Sequence, residues 1–328
     1  MQPRHLILWA LFAGAMLSLP QVASSGTLRT LIFANFLAIF AMSWDFLCGK
    51  TGYVSFGHPF LIGIGAYTTA ILSYRFGVPL GASIPIAIAA TLIGGIAFFL
   101  PALRIRGTYF ALVTLAFMEL MYQLVQVVRP DITGGTRGIS GIETLTIGAE
   151  KNFYLSFTLM YVIALVLWLL ARTRAGTALD AIHMNEEAVR GSGLNTTKLK
   201  LFAFATSACV AGIGGAFYVH YLGSIAPRAL FDIGFLFTII VSALIGGAGT
   251  IIGPLVGAFF LTLLLEGLRG VLPGTERYFV YGVIALVLYV YKPKGLYAIF
   301  FDLLAKVRAK VWGKKRGKKR ARKHAPTA

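Results

Sequence analysis

An all-α, polytopic membrane protein is the expectation, because apolar residues dominate the chain and run in unbroken blocks. Of 328 residues, 57% are hydrophobic and 13% charged, and the mean hydropathy is +0.78. No water-soluble domain of this length normally shows such a balance. The blocks stay apolar over about 20 residues instead of alternating with polar ones, so helices that bond their own backbone are expected and barrel strands are not.

The first block, 6–19, follows Arg4 and His5 and precedes Pro20 and a small-residue stretch, the pattern of a secretory signal peptide. Nine further blocks behind it make an uncleaved first span the better reading. They are 28–47, 53–74, 80–100, 109–128, 153–171, 201–222, 234–252, 254–268 and 278–291. About ten transmembrane helices return both termini to one side. With that side cytoplasmic, 22 of the 30 lysines and arginines fall inside, Lys50, Arg172, Arg174, Arg190, Lys198 and Lys200 among them. Eight fall outside, including Arg75, Arg129, Arg137 and Lys151. This asymmetry is the one the positive-inside rule demands. Residues 1–305 then form the transmembrane domain and 306–328 a disordered cytoplasmic tail. The tail carries eleven basic residues and no acid, a topology signal and anionic-lipid contact in place of a nucleic-acid site. Cys48 and Cys209 read as small packing residues.

One polar stretch, 172–200, interrupts the apolar pattern well inside the chain and falls on the cytoplasmic side. Thr177 followed by Asp180 fits a capping box. Ala178, Ala181, Ile182, Asn185 and Val189 recur on one helical face, and Asp180, His183, Glu187 and Arg190 on the other. Gly191 and Gly193 offer left-handed stops. A helix of about 13 residues spans roughly 20 Å, too short and too charged for a hydrocarbon core of about 30 Å, so it lies on the membrane surface or in something docked there.

Glycine, 37 residues, clusters inside the spans. The groups Gly63/Gly65, Gly94/Gly95 and Gly212/Gly214/Gly215 suit close helix packing. The cluster Gly246, Gly247, Gly249 and Gly253 suits a helix break at membrane depth. Ionisable residues within spans are few: Asp45, Glu119 and Glu266, with His58 and His220. Asp45 and Glu266 lie near span ends. Glu119 lies mid-span, where a polar interior and an interhelical hydrogen bond are equally open readings. The five histidines are scattered, no phosphate-binding loop is present and no His or Cys pair has metal spacing. The chain is therefore read as no enzyme and as holding no cofactor or metal, with its energy drawn from an ion gradient or a separate ATPase.

Three runs carry a family resemblance: Gly52-Tyr-Val-Ser-Phe-Gly-His-Pro through Tyr67, Leu103-Arg-Ile-Arg-Gly-Thr-Tyr through Phe117, and Thr133-Gly-Gly-Thr-Arg-Gly-Ile139. Together with the polar loop they resemble LivM-type permeases, the membrane subunits of bacterial branched-chain amino acid ABC importers. Within the loop, Glu187-Ala188-Val189 followed by Gly193 is similar to the Glu-Ala-Ala-x-x-x-Gly signature of such permeases, with Val189 in place of the second alanine. The resemblance implies a type II-like importer permease in the inner membrane, importing leucine, isoleucine and valine by alternating access. It implies a LivH-like second permease, two ABC ATPase subunits and an extracytoplasmic solute-binding protein as partners. ATPase coupling falls to Ala178, Ala181, Ile182, Glu187, Ala188 and Gly193. The substrate path is drawn through Ser55, His58, Tyr67, Tyr109, Thr114 and Glu119, and binding-protein contact through Gly134, Gly135 and Arg137. A related permease for urea, short amides or another small polar solute is the nearest alternative, and an autonomous secondary transporter or channel the next. Truncation after Lys310 is expected to change expression or association with anionic-lipid vesicles; a change in cargo affinity instead would give the tail a role in transport.

Overall fold

The computed structural model describes residues 3–102, 105, 107–272, 276–291 and 295–297. The basic tail 306–328, and Leu103, Arg104 and Arg106 of the second matched run, lie outside the described residues. Helices make up nearly everything else. They are α1 (Pro3–Ser18), α2 (Ser25–Thr51), α3 (His58–Phe76), α4 (Leu80–Ala102), α5 (Thr108–Val127), α6 (Pro130–Thr133), α7 (Ala149–Ala171), α8 (Arg174–Gly191) and α9 (Thr196–Leu222). After these come α10 (Pro227–Leu230), α11 (Ile233–Gly246), α12 (Ile252–Arg269) and α13 (Glu276–Tyr291). Two short strands, β1 (Ile139–Ser140) and β2 (Ser224–Ile225), pair antiparallel with Ile139 opposite Ile225.

Each of the ten expected blocks contains a helix, and among the described residues seven spans are long and apolar enough to cross a membrane. Those seven are α2, α4, α5, α7, α9, α10 with α11, and α12. Helices α1 and α13 have 16 described residues each, short of the roughly 20 that a bilayer core demands. Helix α3 has 19 residues but is diluted by Tyr67, Thr68, Thr69, Ser73 and Tyr74. The chain is thus a multi-pass membrane protein built on at least these seven spans.

Helix α2 is the axis. It runs 27 residues from a Ser24 cap to a left-handed Gly52, and 94% of its apolar window is buried inside the protein. Helices α7, α9, α11 and α12 surround it. A helix apolar on all sides buries well only when neighbours cover every face, which is what these four do. Its polar exceptions reach neighbouring helices. The Asn35 amide donates to Ser156 Oγ of α7 at 3.0 Å, and Ser43 joins His58 Nε2 (3.3 Å) and Ser207 Oγ (3.2 Å) between α3 and α9.

Glycine sets how closely the next layer packs. A Cβ on Gly65 would stand 2.6 Å from the Gly212 carbonyl oxygen, and one on Gly215 would run into the Ile62 carbonyl. Helices α3 and α9 therefore meet backbone to backbone, the small-residue contact expected for those pairs. The later cluster does break the helix: α11 ends at Gly246 and α12 starts at Ile252. A Cβ on Gly257 would strike the Ser242 carbonyl, so the two helices fold tightly back on each other.

At the end of the bundle where β1 meets β2, the connections are folded rather than loose. His220 Nδ1 donates to the Glu143 carbonyl at 2.6 Å, and its Nε2 meets Thr69 Oγ1 at 2.9 Å. Replacing Gly215 with Ala forces a shift at the Ile62 carbonyl and is expected to cost about 1–3 kcal/mol, the usual range for overpacking. Gly81, with open space around its Cβ position, tolerates the same change. Thermal aggregation midpoints in detergent check this, and equal midpoints for the two variants would rule out close packing as the role of Gly215.

Candidate functional site

The polar stretch between α7 and α9 is a docked helix, and its anchors define the site. Arg172 stacks on the Trp168 ring at 3.7 Å and closes the turn out of α7. Helix α8 then starts at Arg174, capped by Thr173, whose Oγ1 accepts from the Gly176 amide at 3.3 Å. The expected capping box of Thr177 and Asp180 does not form. Thr177 Oγ1 donates to the Thr173 and Arg174 carbonyls, and Asp180 reaches across to α2. The longer run from Thr173 supplies one more turn, and a tertiary ion pair outcompetes the local cap.

That ion pair joins Lys50 Nζ to Asp180 at 2.9 and 3.0 Å, with the lysine side chain only 9% exposed. Lys50 lies in the last turn of α2, where the helix dipole also favours a cation. His183 Nδ1 donates to the Gly49 carbonyl at 2.8 Å, which fixes the proton on that nitrogen. Beyond it, Glu186 accepts from Tyr53 OH (2.6 Å), Lys200 Nζ (2.9 Å) and Arg190 (3.2 Å). Lys200, 5% exposed, also sits 4.5 Å over the Tyr53 ring. Buried lysines persist only when paired, and each here has a carboxylate. The network ties α8 to the end of α2, the start of the α2–α3 connection and the start of α9.

The amphipathic reading of α8 is right in kind and shifted in detail. Gly176, Leu179, Ile182 and Val189 are buried, with Ala178 and Ala181 half-buried beside them. Asn185 breaks the helix (φ −162°, ψ 99°) and its Oδ1 caps the next turn at the Ala188 amide. Met184 is 87% exposed, and Glu187, Ala188 and Gly193 are exposed with it. The six expected coupling residues therefore divide. Ala178, Ala181 and Ile182 face the bundle, whereas Glu187, Ala188 and Gly193 (φ 86°) face away from it past the kink. Lys50, Tyr53, Glu186 and Lys200 were not singled out from sequence. For Lys50, Tyr53 and Lys200 the signal was position, since each stands where an apolar block meets a polar one; Glu186, in the middle of the polar stretch, had no such mark.

The expected path residues also separate. Ser55 and Thr114 come together: both are buried and both line a small cavity between α3, α4, α5 and α9, with Thr114 Oγ1 accepting from the Phe56 amide at 2.9 Å. His58 is fully buried on another side of α3, against Ser207 Oγ at 3.1 Å. Tyr67 is buried with its ring stacked 6.3 Å from Phe231. Tyr109 and Glu119 lie on the outer face of α5, Tyr109 at 73% exposure. Glu119 accepts from Gln123 Nε2 at 2.8 Å, so within this chain it faces outward, not into a polar core. In the opposite connection, Gly134 and Gly138 take left-handed or mirror-strand conformations and Gly135 is buried, leaving Arg137 exposed. Beside them a hydrogen bond from Arg129 holds the exposed Asp131 carboxyl below the usual carboxylate range. Among the described residues, no group of three His, Cys, Asp or Glu could hold a metal ion.

The arrangement is a polar helix clamped by ion pairs and hydrogen bonds to the end of a membrane bundle. Comparison with known proteins gives the following relatives. The high-affinity branched-chain amino acid transport system permease protein LivM of Escherichia coli (strain K12) is 28% identical over 308 residues, 84% of this chain and 71% of the relative. The probable branched-chain amino acid transport permease protein LivM of Methanocaldococcus jannaschii is 26% identical over 267 residues, 74% and 77% of the two chains. The ribose import permease protein RbsC of Escherichia coli (strain K12) is 28% identical over 232 residues, 68% and 72%. No solved structure matches the chain. The family model for the branched-chain amino acid transport system permease component matches residues 26–290, from the first turn of α2 to the last of α13, and the chain belongs to that family of membrane transport permeases.

Proposed function

We propose that this protein is the membrane permease subunit of an ATP-driven importer of branched-chain amino acids, with ATP hydrolysis on separate subunits. The observation that carries the reading is the family match over 26–290, joined by LivM relatives aligned over most of both chains. In this reading α8 is the coupling element and its end of the bundle is cytoplasmic. The anchors on α2 and α9 stop it from sliding, and the exposed strip of Met184, Glu187 and Ala188 meets the ATPase. The folded connection with Arg137 exposed meets the solute-binding protein.

The outer face of α5 supports a second permease beside this one. Tyr109, Leu112, Glu119, Gln123 and Val127 share that face and are exposed. An acid and an amide presented to lipid tails at mid-span are costly, and such groups face a protein partner or water. A LivH-like subunit covering α5 would place Glu119 and Gln123 at the seam between the permeases. Another small polar solute is the second reading for cargo, favoured by the ribose permease relative.

Three measurements bear on this. Calorimetry on the partner solute-binding protein should show leucine, isoleucine or valine binding; binding of a sugar or amide alone would replace the cargo. In proteoliposomes holding the complete transporter, Glu187→Ala or Gly193→Val should lower ATP-driven leucine uptake at least tenfold while the permease stays in the membrane. Undiminished uptake by both would sink α8 as the coupling element. Glu119→Leu, which leaves every described contact of this chain except that with Gln123, should lower uptake to a similar extent without lowering the yield of the chain in membranes. Normal uptake would place the path elsewhere.

A further inference from the structure

Asp45 is fully buried in α2 and both oxygens of its carboxyl group accept from backbone amides. Its Oδ1 accepts from the Gly249 amide at 2.6 Å and its Oδ2 from the Ile251 amide at 3.1 Å. Both amides belong to the break between α11 and α12, where no helix supplies them with an acceptor. Ile251 is held there at φ 64°, a conformation that a β-branched side chain resists. Without an external hold, that backbone has a less strained arrangement to relax into.

The next turn of α2 carries the opposite contact. Gly49 lies four residues after Asp45, on the same face, and a Cβ there would collide with the Asp45 carboxyl and stand 2.6 Å from the Gly249 nitrogen. The carbonyl of that same Gly49 is held by His183 of α8, and the following residue, Lys50, holds Asp180. A single peptide unit of α2 thus separates the polar helix from the glycine break. The turn is braced from the side as well: Trp44 Nε1 donates to the Ser55 carbonyl at 2.8 Å, and Cys48 Sγ accepts from the Ser55 amide. Just before the start of α11, at the end away from the break, Phe231 stacks on Tyr67.

We infer that Asp45 and Gly49 form the joint through which displacement of α8 reaches the α11–α12 break, with Asp45 as the positioning residue that holds the break in its strained arrangement. Pulling on Gly49 and Lys50 moves the turn that carries Asp45, and the amides of Gly249 and Ile251 follow or are released. Tight-packed elements of this kind switch between discrete arrangements instead of deforming smoothly. The inference rests on α8 being the element that an ATPase moves.

The test uses the transporter purified from its native membranes through a tag on this chain and reconstituted in proteoliposomes. Asp45→Asn keeps the size of the side chain but aims an N–H at one of the two amides. The expected result is at least a tenfold fall in leucine taken up per ATP hydrolysed, with ATP hydrolysis within twofold of the unmodified complex. Gly49→Ala, which crowds the joint from the other side, should do the same, and it decides the matter where Asp45→Asn fails to assemble. Spin labels at Met184→Cys and Phe237→Cys, on a Cys209→Ser background, should show an ATP-dependent distance change that Asp45→Asn abolishes. Coupled uptake retained by both variants would overturn the inference, as would parallel loss of hydrolysis and uptake in an assembled complex, which marks a structural role only. Absence of ATP-driven uptake in the unmodified complex overturns the transport reading instead.

Discussion

Backbone amides that leave a helix inside a membrane protein must find an acceptor within the protein, since hydrocarbon offers none. At the α11–α12 break two of them are met by Asp45 of α2, and much of the architecture follows from that pairing. The break lets α12 fold back against α11 and α2. Asp45 must then be buried, and the helix that bears it must be central. Gly49 must lack a side chain for the two backbones to approach. The axial position of α2 and the glycine content of the break are parts of one solution.

The same helix settles where polarity is tolerated. Along the middle of α2 the buried polar groups are small and uncharged, Asn35 and Ser43, and each meets a partner on a neighbouring helix. At its last turn the groups become ionic, with Lys50 paired to Asp180 and, close by, Lys200 paired to Glu186. A buried ion pair adds little stability compared with an apolar contact, yet losing one partner is expensive. Such pairs specify one seating of α8 over others. On the outward face of α5 the logic reverses: Glu119 and Gln123 bond to each other but present polarity on the exposed side of a membrane-length helix.

The apolar blocks located every membrane-length helix among the described residues, because continuous apolar runs bounded by glycine, proline or charge leave few alternatives. The sequence also marked the polar helix and the glycine break, both of which depend on local chemistry. It misplaced the start of α8, since Thr177 and Asp180 satisfy the capping pattern as well as Thr173 does, and the choice between them was made by Lys50, 130 residues away. It set Asp45 aside as a residue near a span end, because nothing local marks a carboxyl group as the acceptor for amides 204 and 206 residues later. It took Glu119 to be inward or bonded to another helix, whereas the facing of a helix depends on what packs beside it.

What the sequence by itself determined was therefore the solvent, the helices and the family: composition demands a bilayer, backbone saturation demands helices, and the three glycine-bearing runs together with the loop signature are specific enough to assign the permease. What only the tertiary structure decided was which polar groups meet. Asp45 with the glycine break, Lys50 with Asp180, His183 with Gly49, and Glu186 with Tyr53 and Lys200 are all contacts between residues distant in the chain. Their pairing is set by the distance and direction at which packed helices bring side chains together, and no local pattern encodes that.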